Sequence, residues 1–130
     1  MTDTIVVEQD KAEDSIYNRQ KNDTISMLVE DENGKYTAFG TIDSISHIYV
    51  KFNNEDTGNL TAVITPIEGT GNIRFNQILF PDKTADGPFG KEMVLELKQT
   101  GEHTLIIGHS LMADHPYRGK FKVELQVVEE

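Results

Sequence analysis

The sequence predicts an all-β chain folded as a two-sheet antiparallel β-sandwich. Three observations lead there. Apolar and polar residues alternate with period two along most of the chain, clusters of Asn, Asp, Gly and Pro separate the alternating runs, and no window repeats apolar residues at three and four spacing for three helical turns. A length of 130 residues suits one hydrophobic core. Seven or eight strands without a helical crossover then favour two antiparallel sheets packed face to face.

Residues 1–23 read as a polar arm, partly ordered at most, in which Ile5-Val6-Val7 is either an added edge strand or disordered. A single sandwich domain is expected over 24–130. Ile25, Met27 and Val29 alternate in a first strand, Asn33-Gly34 offers a tight hairpin turn, and Tyr36, Ala38, Gly40 and Ile42 return. Residues 48–52 and 60–64 form a second expected hairpin. Ile73, Phe75 and Gln77 face one way, Arg74, Asn76 and Ile78 the other, and Pro81 stops that strand. Residues 81–90 form an irregular loop rich in Pro, Gly and Asp. Met93, Leu95 and Leu97 alternate next, a turn at 99–102 follows, and 103–107 makes a further strand. After a loop at 108–119, Phe121, Val123, Leu125 and Val127 alternate in the closing strand. Met93, Leu95, Leu97, Leu105, Ile107, Phe121, Val123 and Leu125 are expected to share one core.

Charge narrows the function. A formal charge of -10 opposes a phosphate backbone and anionic lipid, so neither nucleic acid nor a membrane surface is an expected partner; the acidic balance either serves solubility alone or steers a basic protein inward. No apolar run approaches the ~20 residues that cross a bilayer. No leader is visible, so a periplasmic or secreted location requires one to have been removed, and a cytoplasmic location applies otherwise. The absence of cysteine excludes disulfides and thiolate sites. Phosphate-loop, zinc-protease, serine-hydrolase and dinucleotide motifs are missing, so the reading is a binding protein, not an enzyme. His109, His115 and Asp114 lack a fixed metal spacing, and neither metal nor cofactor is expected. Asp31-Glu32-Asn33-Gly34 lacks the spaced ligands of a calcium loop. The loop from Gly108 to Gly119 carries Leu111, Met112, Tyr117 and Arg118, types suited either to contact or to capping the core.

The last third carries a resemblance. Met93-Val94-Leu95-Glu96-Leu97, then Thr100-Gly101-Glu102-His103-Thr104-Leu105-Ile106-Ile107, a polar loop, and Gly119-Lys120-Phe121-Lys122-Val123-Glu124-Leu125 resemble the closing strands of the pre-peptidase C-terminal type of β-sandwich. The same pattern is similar to the periplasmic inhibitors of invertebrate-type and goose-type lysozymes. The resemblance implies a jelly-roll-like sandwich that occludes a muramidase cleft. It also implies a contact surface made from Thr100, Gly101 and His103, with His103 standing where the family has Tyr. Ser110, Met112, His115, Tyr117 and Arg118 in the adjoining loop complete the expected partner-binding set. The partner implied is a basic lysozyme, met by a monomer or homodimer. A carbohydrate-binding or accessory module is the alternative, with Tyr36, Tyr49 or Tyr117 as a stacking platform.

Overall fold

In the computed structural model the described residues are 19–28, 35–42, 47–55, 57–70, 72–109 and 117–128. They contain ten strands and no helix. In chain order the strands are β1 (Arg19–Lys21), β2 (Thr24–Met27), β3 (Lys35–Ile42), β4 (Ile48–Asn54) and β5 (Gly58–Thr70). They continue with β6 (Arg74–Leu79), β7 (Ala85–Asp86), β8 (Glu92–Leu97), β9 (Gly101–Gly108) and β10 (Arg118–Val128). The described residues are all-β, as expected.

The arrangement of the strands departs from the expected sandwich. All ten lie in one hydrogen-bonded sheet, in the order β7-β6-β9-β4-β2-β1-β3-β10-β5-β8. The sheet is mixed, because β1 pairs parallel with β3 and β2 pairs parallel with β4. It curls into a half-barrel. Backbone hydrogen bonds draw its two margins together: Phe75 N donates to the Gly90 carbonyl at 2.9 Å, and Phe89 N donates to the Phe75 carbonyl at 3.0 Å. Ile64 N in turn donates to the Lys91 carbonyl at 2.8 Å, so residues 89–91 bridge β6 and β5. A curled sheet buries its concave face as two stacked sheets bury their inner faces, and alternation within a strand does not distinguish the two.

Both expected hairpins are replaced. Strand β1 lies between β2 and β3, and the turn that closes β1 onto β2 uses Asn22 at a positive φ of 58°. Strand β1 falls within the segment expected as an arm. Strands β4 and β5 do not pair with each other: β4 lies between β2 and β9, and β5 between β10 and β8. The Asn33-Gly34 turn and the Ile5-Val6-Val7 run lie outside the described residues.

One core fills the concave face. Met93, Leu97, Leu105, Ile107, Phe121, Val123 and Leu125 are buried in a single cluster, and Leu95 packs against it partly buried. Each fully buried large apolar side chain contributes roughly 1.5–3 kcal/mol. Strand β6 breaks its expected alternation. Its register against β9 shifts between Phe75 and Gln77, so Phe75 and Ile78 both reach the core although their numbers differ by an odd interval. A second shift, between Lys120 and Phe121, lies where β10 crosses β5. There Gly69 and Gly119 face each other at φ 135° and 139°. A Cβ on Gly119 would stand 1.9 Å from the Glu68 carbonyl oxygen, so only glycine fits.

Candidate partner-binding site

Strand direction sets which of the expected contact residues lie at the same end of the sheet. Taking β9 as running up, the antiparallel and parallel pairings make β4 and β2 run down, β1 and β3 up, and β10 down. The turn before β9, with Thr100 and Gly101, therefore lies at one end of the sheet. The start of β10, with Tyr117 and Arg118, lies at the opposite end.

The first end is a knuckle of two interlocked turns. Phe80 N donates to the Thr84 carbonyl at 2.8 Å and Lys83 N donates to the Phe80 carbonyl at 3.0 Å, closing a tight turn in which Lys83 has φ 75°. Asp82 Oδ1 accepts from Thr84 N at 2.9 Å and Thr84 Oγ1 at 2.5 Å. The Thr84 bonds hold the Asp82 carboxyl below its ordinary range. Asp82 N donates to Gln99 Oε1 at 3.1 Å, and buried Asn54 donates through Nδ2 to the Gln99 carbonyl at 3.5 Å. Gln99 thus ties the 80–84 turn to the 99–102 turn. Gly101 has φ 121°, and a Cβ there would stand 3.2 Å from Pro81 Cγ. Thr100 and Glu102 are exposed, and a depression of about 320 Å³ between the turns is lined by Leu79, Phe80, Pro81, Lys83, Glu102 and Thr104.

His103 has a different place from the one expected. Its side chain is 0% exposed, stacked on Phe52 with ring centroids 5.3 Å apart and met edge-on by Phe80 at 5.9 Å. The alternation of β9 turns it inward while Glu102 and Thr104 point outward. Nδ1 donates to the Gly101 carbonyl at 3.0 Å, and Nε2 is buried with no hydrogen-bond partner among the described residues. Burial lowers the imidazole pKa, against a smaller opposing effect of the Gly101 carbonyl. His103 is therefore a buried buttress beneath the turn and not the surface residue expected.

Tyr117 is likewise interior, at 2% exposure. Its hydroxyl lies 2.5 Å from the Lys120 carbonyl and 3.1 Å from the Glu68 carbonyl, so it fastens the β5–β10 crossing and is not a surface platform. Arg118 is exposed at that end. Ser110, Met112 and His115 lie outside the described residues. Among the described residues no group of three or more His, Cys, Asp or Glu is placed to hold a metal. Among the described residues no helix is long and apolar enough to cross a membrane.

The Pro81–Thr84 half of the knuckle was missed in the sequence, where 81–90 reads only as irregular loop. Asp82 two residues before Thr84 is the signal of a side-chain-capped turn that would have found it.

The fold and the knuckle define a curled-sheet scaffold that presents buttressed polar turns, a form suited to binding. No family model and no curated protein matches the chain. Its fold is similar to that of solved lysozyme inhibitors. One is PliG of Aeromonas hydrophila, a periplasmic lysozyme inhibitor of g-type lysozyme, with a TM-score of 0.53 and 15% identity over 79% of this chain and 97% of that one. Another is PliG of Salmonella Typhimurium, also a periplasmic lysozyme inhibitor of g-type lysozyme, with a TM-score of 0.55 and 12% identity over 82% and 99%.

Proposed function

We propose that this chain inhibits a goose-type or related muramidase in the periplasm by placing its knuckle in the substrate cleft. The observation that carries the reading is a fold shared over nearly the whole length of two such inhibitors, 97% and 99% of their chains. Muramidases cut between sugars with acidic side chains, so a cleft blocker needs donors at its tip. The exposed Thr100 hydroxyl and Lys83 ammonium are donors that the two turns offer. The cross-linked turns leave little conformational entropy to lose on docking. A charge of -10 steers the inhibitor toward a basic enzyme, and the process requires no catalysis and no second copy of the chain.

The opposite placement of Arg118 favours a contact made at one end. Thr100→Ala with Lys83→Ala should weaken inhibition of a goose-type lysozyme about tenfold or more, while Arg118→Ala leaves it within about twofold. Absence of inhibition at micromolar concentration for goose, invertebrate and chicken types alike would sink the reading. Loss confined to Arg118→Ala would move the contact to the other end.

A further inference from the structure

We propose that the convex face of β4, β2, β1, β3 and β10 is a second binding site, for an extended polysaccharide that carries one carboxylate per disaccharide. The strand register sets one continuous outward row. Lys51 pairs with Ser26, Ser26 with Arg19, Arg19 with Phe39, and Phe39 with Lys122. Neighbouring strands lie ~4.8 Å apart, so Lys51, Arg19 and Lys122, on alternate strands, stand at intervals of about 10 Å. Two residues along, Lys21 pairs with Thr24 and Lys120 pairs with Thr41, which adds two cations beside the first row.

Five of the chain's 12 Lys and Arg residues thus share one face of a protein whose net charge is -10, which a need for solubility does not explain. Among the described residues, Arg19, Lys21, Lys51 and Lys120 form no ion pair, and Lys122 meets Glu124 at 3.5 Å. Phe39 stands in the middle of the row at 60% exposure, between Arg19 and Lys122.

These features match a glycan better than other polyanions. Each pyranose ring advances an extended chain by roughly the separation of neighbouring strands, so a carboxylate on every second sugar meets a cation on every second strand. The Phe39 ring offers an apolar platform for the C–H face of a sugar, and Ser26, Thr24 and Thr41 offer hydroxyls beside it. A nucleic acid bears a charge on every nucleotide, a closer spacing than that of cations on every second strand. The row crosses the sheet from Lys122 to Lys51, the register partner of Thr104 in the lining of the depression, and its residues stand on strands and not on the two turns, so the site does not depend on the muramidase reading.

The test uses the full chain, folded by circular dichroism, titrated with hyaluronan oligosaccharides and followed through its amide resonances. Shifts should centre on Arg19, Phe39, Lys51 and Lys122, and neutral dextran should produce none. Arg19→Glu with Lys122→Glu should weaken binding about tenfold or more, and Phe39→Ser about fivefold. Lys91→Glu with Lys98→Glu, an equal reversal of charge at exposed positions flanking β8, should stay within about twofold. No binding at millimolar disaccharide would overturn the proposal, as would equal losses in the Arg19, Lys122 double variant and the Lys91, Lys98 control. Tighter binding of polyuridylate than of hyaluronan would also overturn it, by making the face a polyphosphate site.

Discussion

A methyl group at Gly40 probes the tightest contact between β3 and β10. Gly40 is the register partner of Phe121, and a Cβ there would stand 2.7 Å from Phe121 Cζ, 3.0 Å from Gln20 Oε1 and 3.1 Å from Ile25 Cδ1. Carbon atoms in contact prefer about 3.5–4.0 Å, so the ring must retreat by about 1 Å. It has no room, because Phe121 is fully buried. Gln20 is also pinned, since its Oε1 accepts from Thr41 N at 2.6 Å. Overpacking of this kind costs about 1–3 kcal/mol, offset by about 0.4–1 kcal/mol from the stiffer unfolded chain, so Gly40→Ala should lose about 1–2 kcal/mol. Phe121→Leu alone should lose a similar amount through the void it leaves. Combined, the new methyl occupies part of that void, and the double variant should be more stable than the sum of the two losses by about 1 kcal/mol. Urea unfolding followed by far-UV circular dichroism gives the three values. Losses that add to within about 0.5 kcal/mol would mean that the ring does not lie over Gly40, and the β3–β10 register would be wrong.

Tyr117→Phe should destabilise the protein by about 1–2 kcal/mol, because the Glu68 and Lys120 carbonyls lose their donor; a loss below about 0.3 kcal/mol in the same urea assay would refute the fastening role. His103 should make stability fall on acidification. Its folded pKa is depressed below 6.5, so the unfolded chain binds more protons; the contribution is whole above about pH 6.5 and is lost as pH falls toward the folded pKa. His103→Phe should flatten the slope between pH 7.5 and 5.5, and identical slopes in the two proteins would count against the neutral buttress. Target binding should survive dialysis against EDTA, and recovery on adding zinc or calcium after a loss would overturn that expectation.

Much of the fold was legible because alternation is a local property. Phe121, Val123 and Leu125 fall on one face of β10 whatever its neighbours, and the same holds for Met93 and Leu97 on β8, so core membership follows from parity alone. Parity failed where a bulge intervened, as with Ile78, since an extra residue between ladder bonds leaves no trace in the apolar pattern. Strand partners were less legible. The three residues of β1, Arg19-Gln20-Lys21, are all polar, yet they separate β2 from β3. What holds them is Gln20, which donates through Nε2 to the Asn22 carbonyl at 2.6 Å and accepts from Thr41, and a pattern built on apolar periodicity passes over such a strand.

The candidate site was harder still, because a turn's chemistry depends on which way the next side chain points. Thr100 and Gly101 were identified as turn residues from their own types, and they lie on the surface. For His103 the decisive fact was parity within β9. Leu105 and Ile107 are core residues, and a position an even number of residues before them on the same unbroken strand must also face inward, so the inward imidazole follows from alternation already in hand. The resemblance drew it outward, by placing it where a family tyrosine contributes to contact. Physical pattern and family pattern disagreed at one residue, and the pattern tied to burial prevailed, because an imidazole aimed at Phe52 cannot reach a partner without unfolding the strand that carries it. The two expected contact segments follow the same logic. Thr100 and Arg118 lie at opposite ends of the sheet, so one cleft should take up one of them: at a stoichiometry of one, Thr100→Ala should weaken inhibition and Arg118→Ala should not, and equal losses in both would refute a contact made at one end.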